Sequence, residues 1–205
     1  MRRNWLSSQE RPSQVNAGTA QRCKTMWSNN AAWRGESVTR SEDAEEVDRS
    51  NEWERLRKAH LVAKETRPVS SANGVHHLAL LCSDVAQTIA FYQEVLEFPL
   101  TELFENRDYK GSTHFFFDIG NGNALAFFDF PGLDLGPYLE VLGSMHHLAI
   151  SVAPETHLHL KSKLKAAGVK IIFEHGNSFY FNGPDGERLE LLAEPLGQMN
   201  GQAVL

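Results

Sequence analysis

The run Val75-His76-His77-Leu78-Ala79-Leu80 returns seventy residues later as Met145-His146-His147-Leu148-Ala149-Ile150. This recurrence constrains the chain more than any composition figure. It makes the fold two copies of one supersecondary unit, neither of which buries its hydrophobic surface alone. Both copies open on paired histidines followed by an alternating apolar run that reads as a strand. A histidine repeated by internal symmetry on an opening strand points to a metal site shared between the units.

The elements behind each pair follow one order. In the first unit, residues 76–83 read as a strand, and Asp84 caps a helix whose apolar positions Val85, Ile89, Tyr92, Val95 and Leu96 recur at three- and four-residue steps. Strands are expected over 99–107, 113–119 and 124–130, with Gly120-Asn121-Gly122-Asn123 as the hairpin turn between the last two. In the second unit, a strand over 145–152 leads to a helix opened by Pro154 and Glu155. That helix carries Leu158, Leu160, Leu164 and Ala167, and Gly168 ends it. Strands follow over 170–174, 178–181 and 188–192, the last after the turn Asn182-Gly183-Pro184-Asp185-Gly186. Aligned by their ends, the segment Leu125 to Pro131 lies over Leu189 to Pro195, which sets Ala126 against Glu190. The two units should pair around one core.

Residues 1–70 form a polar extension. Residues 1–40 show no sustained period and read as disordered. Through residue 34 they hold Arg2, Arg3, Arg11, Arg22, Lys24 and Arg34 against one acid, Glu10, a composition open to a targeting segment or to a start assigned too far upstream. Residues 41–65 begin with acids and end in bases, the order that a helix dipole favours, so a helix is expected there, stopped before Pro68. All four tryptophans (Trp5, Trp27, Trp33, Trp53) lie in this extension; the first three read as solvated and Trp53 is left open. Residues 197–205 read as a tail.

The formal charge of -6 leaves no basic surface for phosphate contacts and excludes a nucleic-acid binder. No apolar run approaches the ~20 residues of a membrane helix, and the opening has no secretory apolar core. Cys23 and Cys82 match no metal or disulfide spacing and read as free thiols of a reducing compartment. The expectation is a cytoplasmic protein whose partner is a small molecule, with neither nucleic acid nor membrane.

The order strand, helix, three strands, given twice, with His-Leu-Ala near each start and Pro184-Asp185-Gly186-Glu187-Arg188-Leu189-Glu190 near the end, resembles the vicinal oxygen chelate superfamily. That group includes glyoxalase I, extradiol dioxygenases, fosfomycin-modifying transferases and bleomycin-binding proteins. The resemblance covers residues 74–196, with modules at 74–132 and 145–196. It implies an α+β fold: two paired βαβββ modules forming a half-open eight-stranded barrel with a metal in its cavity, and it makes a homodimer an option.

Strand parity decides which histidine of each pair faces inward. In the family the inner histidine stands seven residues before the helix-capping acid, which selects His77, and the repeat then selects His147. The family position of the third ligand is Glu190, and the matching place in the first unit, Ala126, cannot ligate. The implied set is His77, His147 and Glu190. Two imidazoles and one carboxylate with open positions suit non-haem Fe(II), and also Mn(II), Ni(II) or Zn(II).

The resemblance also orders the chemistries. Glyoxalase I takes a ligand from the last strand of each unit, which Ala126 does not offer. The extradiol signature places a tyrosine ten residues before the glutamate, and Phe179-Tyr180 meets Glu190 at that spacing. Tyr180 and His175 are the implied substrate-orienting and proton-moving groups, with His114 as an alternative to His175. The signature histidine stands further upstream than His175, Gly183 replaces an acid or amide, and the first unit lacks the family's second active-site histidine. Phe115 or Phe116, Phe117, Phe128 and Phe179 serve either as aromatic cavity walls or as core. No Arg/Lys cluster marks a phosphonate or glutathione site. The expected function is a metal-dependent oxidoreductase of extradiol type acting on a catechol-like substrate. The alternatives are a glyoxalase-like lyase or isomerase, a thiol transferase, and a non-catalytic binding protein.

Overall fold

The computed structural model describes residues 47–205. The expectations placed on residues 1–46, including those for Trp5, Trp27, Trp33 and Cys23 and the start of the helix at 41, lie outside the described residues.

Helix α1 (Ser50–His60) falls within the expected span 41–65 and ends where Leu61 turns extended. Glu52 in its first turn is held by Arg49 at 2.7 Å, and Arg57, Lys58 and His60 fill its last turn. Charge order therefore supports this helix, while packing does not, because none of its residues is buried. Trp53, left open by the sequence, is 48% exposed. A short 3₁₀ turn, Lys64–Thr66, follows.

The first unit comprises β1 (His77–Leu81), α2 (Val85–Ile89), β2 (Leu100–Glu105), β3 (Thr113–Asp118) and β4 (Ala124–Phe128). Asp84 caps α2 by accepting from the Gln87 amide at 2.9 Å. The helix then widens into a π-helical stretch, Ala90–Val95, closed by the Leu96 amide on the Phe91 carbonyl. The second unit comprises β5 (Leu148–Ser151), α3 (Pro154–Ala166), β6 (Ile171–His175), β7 (Ser178–Asn182) and β8 (Arg188–Leu192). Pro154 stands at the first turn of α3, and Gly168 at φ +77° ends it, a conformation that glycine adopts freely.

Each unit forms one four-stranded sheet, ordered β1-β4-β3-β2 and β5-β8-β7-β6. The first and last strands of a unit are parallel neighbours. Neither sheet closes on itself, as a half-open arrangement requires. A third, two-stranded ribbon, β9 (Gln198–Met199) with β10 (Gln202–Ala203), replaces the tail expected at 197–205. Arg67 donates to the Val204 carbonyl at 2.9 Å and ties this ribbon to the segment after α1.

One core serves both units. Leu125, Phe115, Phe117 and Phe127 from the first sheet and Leu189, Leu191, Phe179 and Phe181 from the second are 0–1% exposed, with Tyr92, Leu96, Leu160 and Leu164 from the helices. The helices meet across the units: Lys163 and His159 of α3 both reach Glu97, at 2.8 and 3.0 Å. One expectation is corrected here. Leu158 is 65% exposed, because Leu160 and Leu164 share the buried face of α3 and Leu158 stands on nearly the opposite side. Of the two roles open to the phenylalanines, Phe117 and Phe179 take the core one, since strand parity turns them toward the helices. The opposite face of each sheet carries the histidines.

Candidate metal centre

In the second unit, Leu148 pairs with Leu189 and Ala149 with Glu190. His147, one step before β5, therefore stands on the Glu190 face. Its Nε2 lies 3.1 Å from Glu190 Oε2, and the carboxylate is 7% exposed. Tyr180 is the register partner of Glu190 on β7. Its ring meets the His147 ring edge-on at 5.5 Å. Phe173 packs against Tyr180 at 5.9 Å, and His175 stacks on Phe173 at 6.3 Å, nearly parallel. His175 is thus one ring removed from Tyr180, at the exposed end of β6.

The first unit repeats the frame with apolar contents. Ala79 pairs with Ala126, and Ala126 with Phe116, the places held by Ala149, Glu190 and Tyr180 in the second unit. His77 meets Phe116 edge-on at 6.1 Å, as His147 meets Tyr180. Both histidine pairs share a further contact: Nδ1 of His76 lies 2.9 Å from Nδ1 of His77, and Nδ1 of His146 lies 2.7 Å from that of His147. His114 stacks on Phe128 at 3.8 Å. Its Nε2 is buried without a partner, and burial, followed by the nearby His77, lowers its pKa.

The structure brings His147, Glu190 and Tyr180 together and keeps His77 with its own sheet. Among the described residues, no group of three or more His, Cys, Asp or Glu side chains converges as a metal site within the chain. Both histidine faces are open: Ala79 and Ala149 are exposed, and Phe104 and Phe173 are 44% and 57% exposed. A cavity of about 660 Å³ lies elsewhere, at the end of β1 and under residues 129–138, with Cys82, Phe130, Leu135, Asp185 and Glu187 among its walls. Burial pushes the Cys82 thiol up to about 12, so it stays protonated and inert at neutral pH.

The family model described as Glyoxalase/Bleomycin resistance protein/Dioxygenase superfamily matches residues 74–191. The chain belongs to this superfamily. MhqA of Bacillus subtilis, named as a candidate ring-cleaving dioxygenase, is 28% identical over 140 residues, which cover 64% of this chain and 44% of that protein. The chain thus spans less than half the length of that relative. A glyoxalase/bleomycin resistance/dioxygenase domain from Frankia sp. EAN1pec is 19% identical with a TM-score of 0.53, over 62% of this chain and 96% of that one. The fosfomycin resistance protein FosX of Listeria monocytogenes, solved with Mn(II) and sulfate, is 23% identical with a TM-score of 0.47, over 61% and 95%. Among the described residues, no helix is long and apolar enough to cross a membrane.

The second half of this superfamily domain fits a divalent ion by the chemistry of its donors. Glu190 is a nearly buried carboxylate, and His147 is its ionic neighbour among the described residues. A buried charge needs a counter-charge, and a cation between an imidazole nitrogen and a carboxylate oxygen supplies one. Burial raises the Tyr180 pKa, and the Glu190 carboxylate beside it raises it further. The hydroxyl therefore remains a donor at neutral pH.

Two residues absent from the sequence-based set lie on this face. Arg188 shares the parity of Glu190 on β8, and its Nη2 lies 2.7 Å from Glu140 Oε1, with side chains 11% and 9% exposed. Arg188 was readable from the spacing, since residues i and i+2 of a strand share a face. Glu140 was not, because it arrives on the irregular segment between the units.

Proposed function

We propose that this chain is a metal-dependent oxygenase of extradiol type whose substrate is a small aromatic diol. The observation that carries the reading is the His147–Glu190 pair with Tyr180 edge-on beside it. Glu190 and His147 hold the ion, Fe(II) by the nature of a two-histidine, one-carboxylate set. His77 completes that set from a second copy of the chain. The support is that each histidine face is open and meets only its own sheet, so a twofold pair of chains laid face to face offers two equivalent complete sites. When bound, the ion supplies Lewis-acid activation and open positions at which a diol and dioxygen meet.

The chain's own groups do the rest. Glu190 and His147 fix the edge of the ring, and the protonated Tyr180 hydroxyl donates a hydrogen bond to a substrate oxygen. His175, at the exposed end of β6, exchanges a proton with solvent. On the facing half, Phe116, Phe128 and Phe104 give the flat apolar wall that an aromatic ring requires. Ala126 in the fourth-ligand place weighs against the glyoxalase-like reading. The relation to MhqA supports the dioxygenase reading.

The test is metal identification on protein purified without chelators, followed by oxygen uptake with a panel of catechols. Iron together with catechol-dependent uptake is the expected result. Manganese, nickel or zinc with turnover of a thiol adduct would replace this reading with the isomerase or transferase one. A metal-free protein that still binds the aromatic compound would make it a binding protein.

A further inference from the structure

The second unit's face holds a buried guanidinium that nothing in the metal set uses. Arg188 stands two residues before Glu190 on the same side of β8, and Asn182 is its register partner on β7. Its ionic partner is Glu140, through one contact of 2.7 Å between Nη2 and Oε1. The second carboxylate oxygen, Glu140 Oε2, is buried and has no hydrogen-bond partner, although the side chain is only 9% exposed. A guanidinium matches a carboxylate best through two parallel bonds. Here the match is half made, and the unmade half leaves a buried oxygen unsatisfied, which is costly.

Glu140 comes from outside the sheet. It precedes a small self-contained turn in which the Val141 amide donates to Ser144 Oγ at 2.9 Å and the Ser144 amide to the Val141 carbonyl. Tyr138 pins the same segment by donating to the Met145 carbonyl at 2.7 Å. The side chain of Glu140 can leave Arg188 without undoing these bonds. The segment is also openly exposed, with Val141 and Leu142 turned to solvent.

We infer that Arg188 is a specificity-determining residue that binds a carboxylate on the aromatic substrate, and that Glu140 is a resident stand-in which the substrate displaces. This deepens the proposed oxygenase reading and rests on it. Arg188 is two strand residues from Glu190, about 7 Å along the chain. One benzene ring bridges that separation, with its diol edge toward His147 and Glu190 and its carboxylate toward Arg188. An incoming carboxylate that makes both bonds replaces a one-bond contact, and Glu140 Oε2 gains water when it swings out. The favoured substrate class is therefore a dihydroxybenzoate rather than an uncharged catechol.

The experiment compares 3,4-dihydroxybenzoate with catechol by titration calorimetry on the full chain with its native metal. Wild type, Glu140→Gln and the double variant E140M/R188M are measured, and thermal melting checks that each is folded. The double variant removes both charges together, so no lone buried ion remains to unfold it. Wild type should prefer the carboxylated ring by about tenfold or more, the value of a hydrogen-bonded ion pair. Glu140→Gln should widen the preference severalfold by removing the competitor, and the double variant should abolish it. Equal affinities in wild type, or a preference that survives in the folded double variant, would overturn the role of Arg188 and leave the oxygenase reading standing. Binding of neither compound by metal-loaded wild type would overturn both.

Discussion

Glu190 and Ala126 occupy the same register position in the two sheets, opposite Ala149 and Ala79 respectively. The internal symmetry extends to the rings beside the histidines, since Tyr180 and Phe116 are equivalent on β7 and β3. It breaks in the chemistry of these pairs, with an acid and a phenol in one unit and a methyl and a phenyl in the other. The second unit's face is therefore polar at these positions, and the first unit's is apolar apart from its histidine.

Glu190→Ala should lose metal affinity by a factor on the order of 100 or more, because even outer-shell partners of a metal ligand cost 10–100-fold when removed. Its effect on the melting temperature of the metal-free protein should be small. The change deletes a carboxylate that is 7% exposed and whose charge the fold must otherwise compensate. Metal content by mass spectrometry and melting in chelator check the two halves separately. Unfolding of the variant in chelator would mean that Glu190 is chiefly structural.

A shared site has a signature that a single-chain site cannot produce. His77→Ala and Glu190→Ala are each expected to be metal-free. When the two variants are mixed under conditions that exchange subunits, half of the dimers are mixed, and each mixed dimer holds one intact site. About a quarter of all sites should then recover metal. Recovery is read by metal content after gel filtration. No recovery despite proven exchange would place the three ligands in one chain.

The parts of the fold that depend on local chemistry were legible in the sequence. Asp84 caps α2, Gly168 ends α3, and Gly120 and Gly122 at φ +85° and +72° form the expected hairpin turn. Each follows from one residue's backbone preference. What stayed hidden depends on how the two units meet. The apolar period of α2 could not reveal the π-helical stretch that follows Ile89. Phenylalanine fills three consecutive places on β3 and flanks Tyr180 on β7, and neither pattern says which side faces the core. The helices meet each other at Glu97, Lys163 and His159, so the histidine faces turn outward, and His77 is separated from Glu190 by packing that no spacing encodes.

The junction itself rests on a buried contact. Tyr92, fully buried between Phe117 and Phe127, donates its hydroxyl hydrogen to Glu187 Oε1 at 2.8 Å, and the Asp185 amide donates to Glu187 Oε2 at 3.0 Å. Gly183 makes room for this carboxylate: a Cβ there would stand 1.9 Å from Glu187 Oε1. Tyr92→Phe should destabilise the domain by about 1–3 kcal/mol, since it leaves a buried acceptor with one partner fewer. Gly183→Ala should cost a similar amount by pushing the carboxylate off both donors. Denaturant melts of the metal-free protein measure both, and a double variant less destabilised than the sum of the singles would confirm that they act on one contact.

The same carboxyl gives the junction a pH dependence. Burial raises the pKa of Glu187, and its hydrogen bonds from Tyr92 and the Asp185 amide offset only part of that. The folded protein therefore binds this proton more tightly than the unfolded chain, in which the group titrates near its ordinary 4.5. Stability falls as pH climbs from about 4.5 through the raised folded value, and the whole penalty is present above it. Glu187→Gln keeps the shape and carries no charge: its carbonyl can face the Asp185 amide while its amide donates to the Tyr92 oxygen. The variant should match wild type in acid and exceed it at neutral pH, with the gap opening upward from about pH 4.5. Melting temperatures across that range read the gap directly, and a gap that narrows toward neutrality would show that the charged carboxylate is the form the junction prefers.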